Sequence, residues 1–575
     1  KLQRIIASHG YADGCIYGHA LEGNYHFILN QSFKESKEVE RYADMMRDVV
    51  ALVKSYDGSL KAEHGTGRNM APFVKDEWGE DAFRIMQELK DIFDPEHLLN
   101  PGVIFNDDPN CFIEHLKQLP KLDFDFDHLP DGVKYATAMA ARQSSTQEMI
   151  EGVRRANKCI ECGFCEVNCL SCGLTLSSRM RIASQREIMR LKSTGNPEDM
   201  RHARRLEKLY RYYGNQTCAA DGLCATSCPM KINTGDLTHL LRQNIMDDSP
   251  AAYKVGDFAA KHMRGIENVV RRVLDVANLA HTVLGTKTMS AITQAMHKTG
   301  VPLWTPAMPK AHYLHEELLQ EAKVAGSDKS GSSDAGQSAG TEPLRFVYFP
   351  SCLNQTMGLS KGAPVKKTVV GEMVELARKA HYEVVFPKNM RSLCCGQIWE
   401  SKGMMDIADR KTAELERALY EASEGGKLPV LCDQSPCLHR MRKMMTRVQL
   451  YEPTEFILKF LKPRLHFHQL HRTVAVHTTC SMREMGLMDD LIELASLCAD
   501  KVIVPEGVGC CGFAGDRGFI HPEMNRYALR HLREEIEANH VEVGYSNSRT
   551  CEIGLQYHSG IPYMSIAYLV NEATD

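Results

Sequence analysis

The chain has 575 residues, 43% hydrophobic and 25% charged, a balance that excludes a disordered or fibrous protein. Its 69 Lys and Arg nearly cancel 73 Asp and Glu, leaving a formal net charge of −4 and no overall basic field to hold nucleic acid. At roughly 100 to 200 residues per domain the length implies several domains, and no apolar run reaches the roughly eighteen residues of a transmembrane helix.

From Tyr17 to Leu29, YGHALEGNYHFIL holds two short apolar and aromatic runs around Glu22-Gly23, which predicts a hairpin with a two-residue turn. Helical periodicity spans about Glu38 to Ser55 and Glu77 to Phe93, the latter stopped by Asp94-Pro95. Residues 1–110 thus read as an α+β unit, and the polar, Pro-containing residues 111–145 as a connection. Residues 146–250 predict helices between cysteine runs.

Residues 251–325 form a helical segment, with seven Lys and Arg against three Asp and Glu between 251 and 300. Phe258, Ile266, Val270, Val273, Leu274, Ala277 and Leu284 give a helix near 257–285 a broad apolar face. That face can pack on the preceding domain or lie on an anionic membrane. Residues 326–343, with nine Gly or Ser, predict a flexible linker.

Beyond the linker an α/β module occurs twice, over 344–465 and 466–575. RFVYFPSC and TVAVHTTC, then VVFPKNMRSLCCG and VIVPEGVGCCG, then LPVLCDQSPC and VEVGYSNSRTC are each a strand followed by cysteine. Cysteines at strand C-terminal ends can converge where open α/β sheets bind ligands. The fold class is therefore multidomain, α+β and α/β. The chain begins at Lys1 inside what reads as a folded domain, so a C-terminal piece of a longer protein is expected.

The 20 cysteines are clustered at spacings poor for disulfides and good for metal or cluster ligation, which implies a reducing, cytoplasmic compartment. CIECGFCEVNC places Cys159, Cys162, Cys165 and Cys169 at the two-two-three spacing of a bacterial ferredoxin. CAADGLCATSCP repeats the frame with Cys218, Asp221, Cys224 and Cys228 before Pro229. In such runs the last cysteine reaches the other cluster. Cys159, Cys162, Cys165 and Cys228 are thus expected to hold one [4Fe–4S] cluster. Cys169, Cys218 and Cys224, with Asp221 or solvent, are expected to hold a second, [3Fe–4S] or labile [4Fe–4S]. Paired structural zinc sites are the alternative, and Cys172 could substitute for Cys169.

The repeat supplies Cys352, Cys394, Cys395 and Cys437 in one copy and Cys480, Cys510, Cys511 and Cys551 in the other, as redox sites or as buried inert thiols. At the N-terminus a two-residue turn would put His19 directly opposite His26, as a metal-binding or a structural pair. AEHGTGR adds Glu63 as an oxygen ligand and His64 as a general base, if the backbone turns at Gly65 and Gly67.

The repeats resemble the cysteine-rich CCG domains of heterodisulfide-reductase-like proteins and of the anaerobic glycerol-3-phosphate dehydrogenase small subunit. That pattern ends in C-x2-C; here Gln434 and Ser548 take the penultimate places, and Cys432 could compensate in the first copy only. YGHALEGNYHF, KAEHGTGR and FDPEHLLNPGVIF look like the C-terminal part of the flavin-linked oxidase domain of D-2-hydroxyacid dehydrogenases, within the vanillyl-alcohol-oxidase-like family. The resemblance implies His19, His26 and Glu63 as ligands of a divalent metal such as Zn or Mn, His64 as the base, and Asn24 and Asn100 near FAD. Glu22 stands where the motif usually has Asp.

In full, the order resembles bacterial NAD-independent D-lactate dehydrogenases: the C-terminal part of a flavin-linked oxidase domain, a helical two-cluster ferredoxin domain and two repeated α/β CCG modules. It implies FAD, held mostly upstream, electron transfer to a quinone or cytochrome, and inactivity of this piece alone; peripheral contact with the cytoplasmic face of the inner membrane rests instead on the apolar, basic helix near 257–285. The alternatives are D-2-hydroxyglutarate oxidation by the same architecture and a noncatalytic electron-transfer subunit, which would lack the His19, His26, Glu63 and His64 segment.

Overall fold

The computed structural model describes residues 1–33, 35–61, 63–116, 120–129, 144–314 and 344–575. The linker expected over 326–343 lies outside the described residues. The chain divides into two compact units, Lys1–Lys121 and Leu122–Asp575.

In the first unit, helix Ser36–Lys54 presents Ala43, Met45, Met46, Val49 and Val50 to the core, and reciprocal hydrogen bonds between Glu35 and Glu38 cap its start. Ile6, Tyr11, Phe73 and Phe112 close the same core. The short strands Cys15–Tyr17 and His26–Ile28 pair antiparallel beside it. Helix Val74–Phe93 starts earlier than its periodicity suggests and kinks at Gly79, φ 80°. It ends where Asp94 accepts the Leu98 and Leu99 amides. Trp78, Ile85, Leu89, Ile92 and Phe93 of this helix are exposed.

The second unit begins with ferredoxin-type helices. Ser145–Ala156, capped by Ser144 and Gln147, lies along Thr234–Asp247. A Cβ at Gly152 would stand 2.0 Å from Asp236 Oδ2, so the close approach requires glycine there. Ser178–Ser193 packs on Pro197–Tyr210, and the 3-10 turns Phe164–Asn168 and Leu223–Ala225 carry Cys165 and Cys224.

Both cysteine-rich modules have four parallel strands in equivalent order. In the first, Leu344–Phe349 lies between Tyr382–Val385 and Val430–Cys432, with Leu450–Tyr451 outermost. In the second, Leu470–Val476 lies between Ala499–Ile503 and Val543–Tyr545, with Tyr563–Met564 outermost. One core spans the two, including Leu376, Phe456 and Leu461 from the first and Leu491, Val474 and Ile566 from the second. Each such fully buried aliphatic or aromatic side chain contributes about 1.5–3 kcal/mol.

The single helix expected near 257–285 is two, Pro250–Lys261 and Met263–His297, broken at His262 and kinked at Gly285. Its expected apolar face is also divided. Leu274 is buried and Val270 and Ala277 are half-buried, whereas Phe258, Ile266, Val273 and Leu284 are exposed. The second helix is apolar on two sides. Val270, Leu274 and Ala277 pack inward beside the buried Glu267 and Arg271, and Ile266, Val269, Val273, Val276 and Val283 form an exposed stripe at three-, four- and seven-residue spacing.

Candidate metal centre and cysteine sites

The hairpin register differs from expectation: Tyr17, not His19, stands opposite His26. Residues 18–25 make a wider loop, in which the Gly23 amide donates to the His19 carbonyl (2.9 Å) and the His19 amide to Asn24 Oδ1 (2.9 Å). A Cβ at Gly18 would lie 2.0 Å from the Asn24 carbonyl oxygen, so the loop can fold back on itself only because residue 18 is glycine. Buried Asn24 is thus the brace of this loop.

The fold-back still brings the histidines together. The His19 and His26 rings meet edge to face with centroids 5.4 Å apart, and Tyr17 stacks on His26 at 5.2 Å. Glu63 Oε1 lies 2.5 Å from His26 Nε2, 3.4 Å from His19 Nε2 and 3.7 Å from His64 Nε2. Among the described residues, His19, His26 and Glu63 are the one trio offering ligand atoms within 4.8 Å of one another.

His26 Nε2 is buried and makes no directional hydrogen bond. A buried imidazole nitrogen that faces a carboxylate without a directional hydrogen bond, beside a second imidazole, is part of a donor set suited to a divalent cation. Gly65 and Gly67, φ 70° and 58°, turn the chain immediately after His64 and let Glu63 and His64 share one side. The Ile104 amide donates to the Gly67 carbonyl (3.1 Å) and Arg68 Nε to that of Pro101 (3.1 Å). These bonds seat the NPGVIF segment on the glycine turn. Asn100 is exposed there, in left-handed backbone at φ 46°.

In the second unit, Cys169, Cys218, Asp221 and Cys224 line one small cavity. Cys169 comes from the first cysteine run and the other three from the second. Cys172 is not among the lining residues; its carbonyl accepts from Tyr527 Oη at 3.0 Å. Buried Arg181 donates to Cys169 Sγ (3.5 Å), Ser171 Oγ (2.9 Å) and the Gly214 carbonyl (2.7 Å). Burial alone would raise the Cys218 thiol, but Arg181 and Arg242 hold it below the ordinary thiol range. Burial raises Cys224 and Asp221.

The first-run cysteines sit nearer the surface. Cys162 is exposed and Cys159, Cys165 and Cys228 are half-buried. Cys165 is electrostatically coupled to Cys228 of the other run and to Cys159. Asn168 Nδ2 bonds Thr226 Oγ1 (2.9 Å) and Ser227 Oγ (2.6 Å), clipping the two runs together.

Each module gathers its four cysteines at the C-terminal ends of its strands, the edge where open parallel sheets bind ligands. In the first, Cys352 contacts Cys394, Cys394 contacts Cys395 and Cys395 contacts Cys437. Hydrogen bonds from Cys352 and Cys395 hold the Cys394 thiol well below its ordinary range and push its two partners up. In the second, Cys480 contacts Cys510, and Cys511 Sγ lies 3.1 Å from Cys551 Sγ. All 20 cysteines are free.

Gln434 and Ser548 have a role that their sequence positions do not reveal. Gln434 Nε2 donates to Ser548 Oγ (2.9 Å) and its Oε1 accepts the Arg549 amide (3.0 Å), joining the two modules. Cys432 is buried in the first module's apolar cluster with Cys394, Cys395 and Cys437, its thiol directed at the Gln434 carbonyl (3.9 Å). Two carboxylates also reach the quartets from outside their modules. Asp221 contacts Cys510, and Glu267 acts electrostatically on Cys352 and Cys394. Burial pushes Glu267 up to about 7 against the pull of Arg271. Arg181, Arg242 and Glu267 carry no motif; only their burial inside helices marks them.

Residues 1–104 match the family described as FAD linked oxidases, C-terminal domain, and residues 155–232 the 4Fe-4S dicluster domain. Residues 346–442 and 474–556 both match the cysteine-rich domain, CCG. The chain therefore has an FAD-linked oxidoreductase architecture with iron–sulfur domains, and FAD and iron–sulfur clusters are the cofactors of that class.

Proteins similar to part of the chain include several named D-lactate dehydrogenase. An uncharacterized FAD-linked oxidoreductase of Mycobacterium tuberculosis is 35% identical over 101 residues, 18% of this chain and 20% of that protein. A D-lactate dehydrogenase of Anaerostipes hadrus is 33% identical over 89 residues, 15% and 19% of the two chains. A D-2-hydroxyglutarate dehydrogenase of Stutzerimonas stutzeri is 31% identical over 109 residues, 18% and 23%. The chain thus spans about a fifth of the length of the curated relatives it matches.

Proposed function

We propose that this chain belongs to an NAD-independent dehydrogenase that oxidises D-lactate to the 2-oxo acid and passes the electrons through iron–sulfur clusters to a quinone or cytochrome. The observation that carries the reading is the convergence of His19, His26 and Glu63, with His64 on the same carboxylate. A noncatalytic electron-transfer subunit would have no use for that group. D-2-hydroxyglutarate is the alternative substrate of the same site.

His19, His26 and Glu63 would hold a Zn or Mn ion, and His64 Nε2 would take the proton of the substrate's 2-hydroxyl. When bound, the metal supplies Lewis acidity at that hydroxyl and FAD the hydride acceptor. Asn24 keeps His19 in place through its amide, and Asn100 is proposed to lie near the flavin. Because residues 1–104 correspond to the C-terminal domain of FAD-linked oxidases, the FAD pyrophosphate site is proposed to lie mostly outside residues 1–575. The exposed apolar face of helix Val74–Phe93 is suited to packing against that flavin-binding part. On this reading the 575-residue chain alone does not oxidise D-lactate, and turnover by it would sink that part of the reading.

Cys159, Cys162, Cys165 and Cys228 would hold the first [4Fe–4S] cluster, and Cys169, Cys218 and Cys224, with Asp221, the second. The quartets of the two modules would hold further iron–sulfur centres. The test is anaerobic reconstitution with iron and sulfide, followed by metal analysis and EPR. Cys228→Ser is expected to remove the first low-potential signal and spare the second, with Cys224→Ser the reverse. Zinc without iron would remove the assignment. Steady-state rates of the flavin-containing enzyme on D-lactate and D-2-hydroxyglutarate decide the substrate.

The exposed stripe Ile266, Val269, Val273, Val276 and Val283 supports a peripheral contact with an anionic membrane on the cytoplasmic side. No helix among the described residues is long and apolar enough to cross a membrane. The chain is expected to float with anionic liposomes, and Val273→Glu with Val276→Glu to reduce the bound fraction at least about tenfold, each change removing apolar burial and adding repulsion. Equal flotation of the variant would remove the stripe from the contact.

A further inference from the structure

We infer that Glu267 is an oxygen ligand of the iron centre held by Cys352, Cys394, Cys395 and Cys437, a role that rests on the reading that the first module binds a cluster. Glu267 lies outside both stretches matching the cysteine-rich domain. Helix Met263–His297 carries it into the first module, packing on the short helix that starts at Cys352 and on the turn Met390–Ser392 that leads to Cys394.

The docking is specific. Arg271 donates through Nη2 to the Gln355 carbonyl (3.0 Å) and through Nε to that of His312 (2.9 Å), while Arg391 holds the adjacent Asn268. Met263, Glu267 and Arg271 follow one another at four-residue spacing and so share a helix face. Met263 packs against the apolar cluster that includes Cys394, Cys395 and Cys437.

Glu267 is 5% exposed. Its Oε2 pairs with Arg271 Nη2 at 3.1 Å, but its Oε1 is buried without a hydrogen-bond partner. A buried carboxylate oxygen is costly to leave unpaired, and the thiols of Cys352 and Cys394 lie within its electrostatic reach. A metal bound to that oxygen would supply the missing partner. Gln434, one turn before Cys437, cannot do so, because its amide is committed to Ser548 and Arg549.

The quartet is a chain of pairwise contacts, and no three of its thiols converge as closely as His19, His26 and Glu63 do. That spread fits ligands distributed over a polynuclear iron centre better than a single ion.

The test uses the full 575-residue chain reconstituted anaerobically with ferrous iron and sulfide, with iron content, EPR and Mössbauer spectra as readouts. Cys394→Ser should lose the first module's iron and signal. Glu267→Gln should keep the ferredoxin signals but shift the module signal or lose about one iron per chain relative to wild type, and Glu267→Asp should retain that iron. Spectra and iron content of Glu267→Gln equal to wild type, with Cys394→Ser still defective, would overturn the ligand and leave the cluster standing. An unaltered Cys394→Ser would overturn both. Arg271→Gln removes the partner of Glu267 and spares its carboxylate. If it causes the same loss as Glu267→Gln, the effect belongs to helix docking and the ligand role fails.

Discussion

Glu63→Gln is expected to reduce divalent-metal affinity of the chain by more than the roughly 10- to 100-fold typical of losing a supporting residue. Glu63 Oε1 lies within 3.7 Å of all three imidazoles. The substitution removes the only anionic donor of the trio, leaving two neutral imidazoles that cannot balance a dication. Zinc or manganese retained after dialysis, measured on wild type and variant, checks it; equal stoichiometry would exclude Glu63 as a ligand. His64→Ala separates binding from proton transfer. Metal content should persist, while D-2-hydroxy-acid oxidation by the flavin-containing enzyme falls about 10²–10⁴-fold, the usual range for loss of a general base.

Arg440→Met is expected to destabilise the second unit by about 3–5 kcal/mol, the typical cost of leaving buried charge unpaired. Arg440 is 1% exposed and bonds Glu400 Oε2 (2.7 Å), Asp409 Oδ1 (3.0 Å), Ser145 Oγ (3.1 Å) and the Cys395 carbonyl (3.0 Å). It thereby ties the first ferredoxin-type helix to the first cysteine-rich module. Its loss strands two buried carboxylates, so adding Glu400→Gln and Asp409→Asn should recover much of the deficit. A thermal or denaturant transition of Arg440→Met that coincides with wild type would refute the account.

The same group predicts acid sensitivity. Burial alone would raise Glu400, but Arg440, Lys443 and His239 hold it down to about 2 in the folded protein. Its stabilising contribution is complete above the unfolded carboxyl value of about 4.3 and is lost as pH falls towards 2. Asp409, raised by burial, contributes with the opposite sign and blunts the effect.

Several features of the candidate site are legible in the sequence alone. The candidate ligand types follow from two short motifs, and the expectation that Cys169 serves the second cluster follows from spacing, because loops of two and three residues leave thiols little freedom. The hairpin register did not follow. A two-residue turn at Glu22-Gly23 is the locally favoured solution, but Gly18 lets the backbone pass against Asn24, and the resulting loop returns His19 to His26 by another path. The helix after residue 250 shows the same division. Its periodicity marks apolar residues, yet with two apolar sides it does not say that Leu274 is buried while Val273 and Val276 face outward.

The sequence by itself determined the order of the matched domains and the duplication of the cysteine-rich module, and it supplied the candidate ligand residues, because these rest on residue type and local spacing. Only the tertiary structure decided that Arg181 donates to Cys169, that Gln434 and Ser548 bond each other across the two modules, and that Glu267 is buried within electrostatic reach of Cys352. Those partners lie 12 to 114 positions apart along the chain. Their meeting is set by how helices and sheets pack around shared cores, which no local pattern encodes.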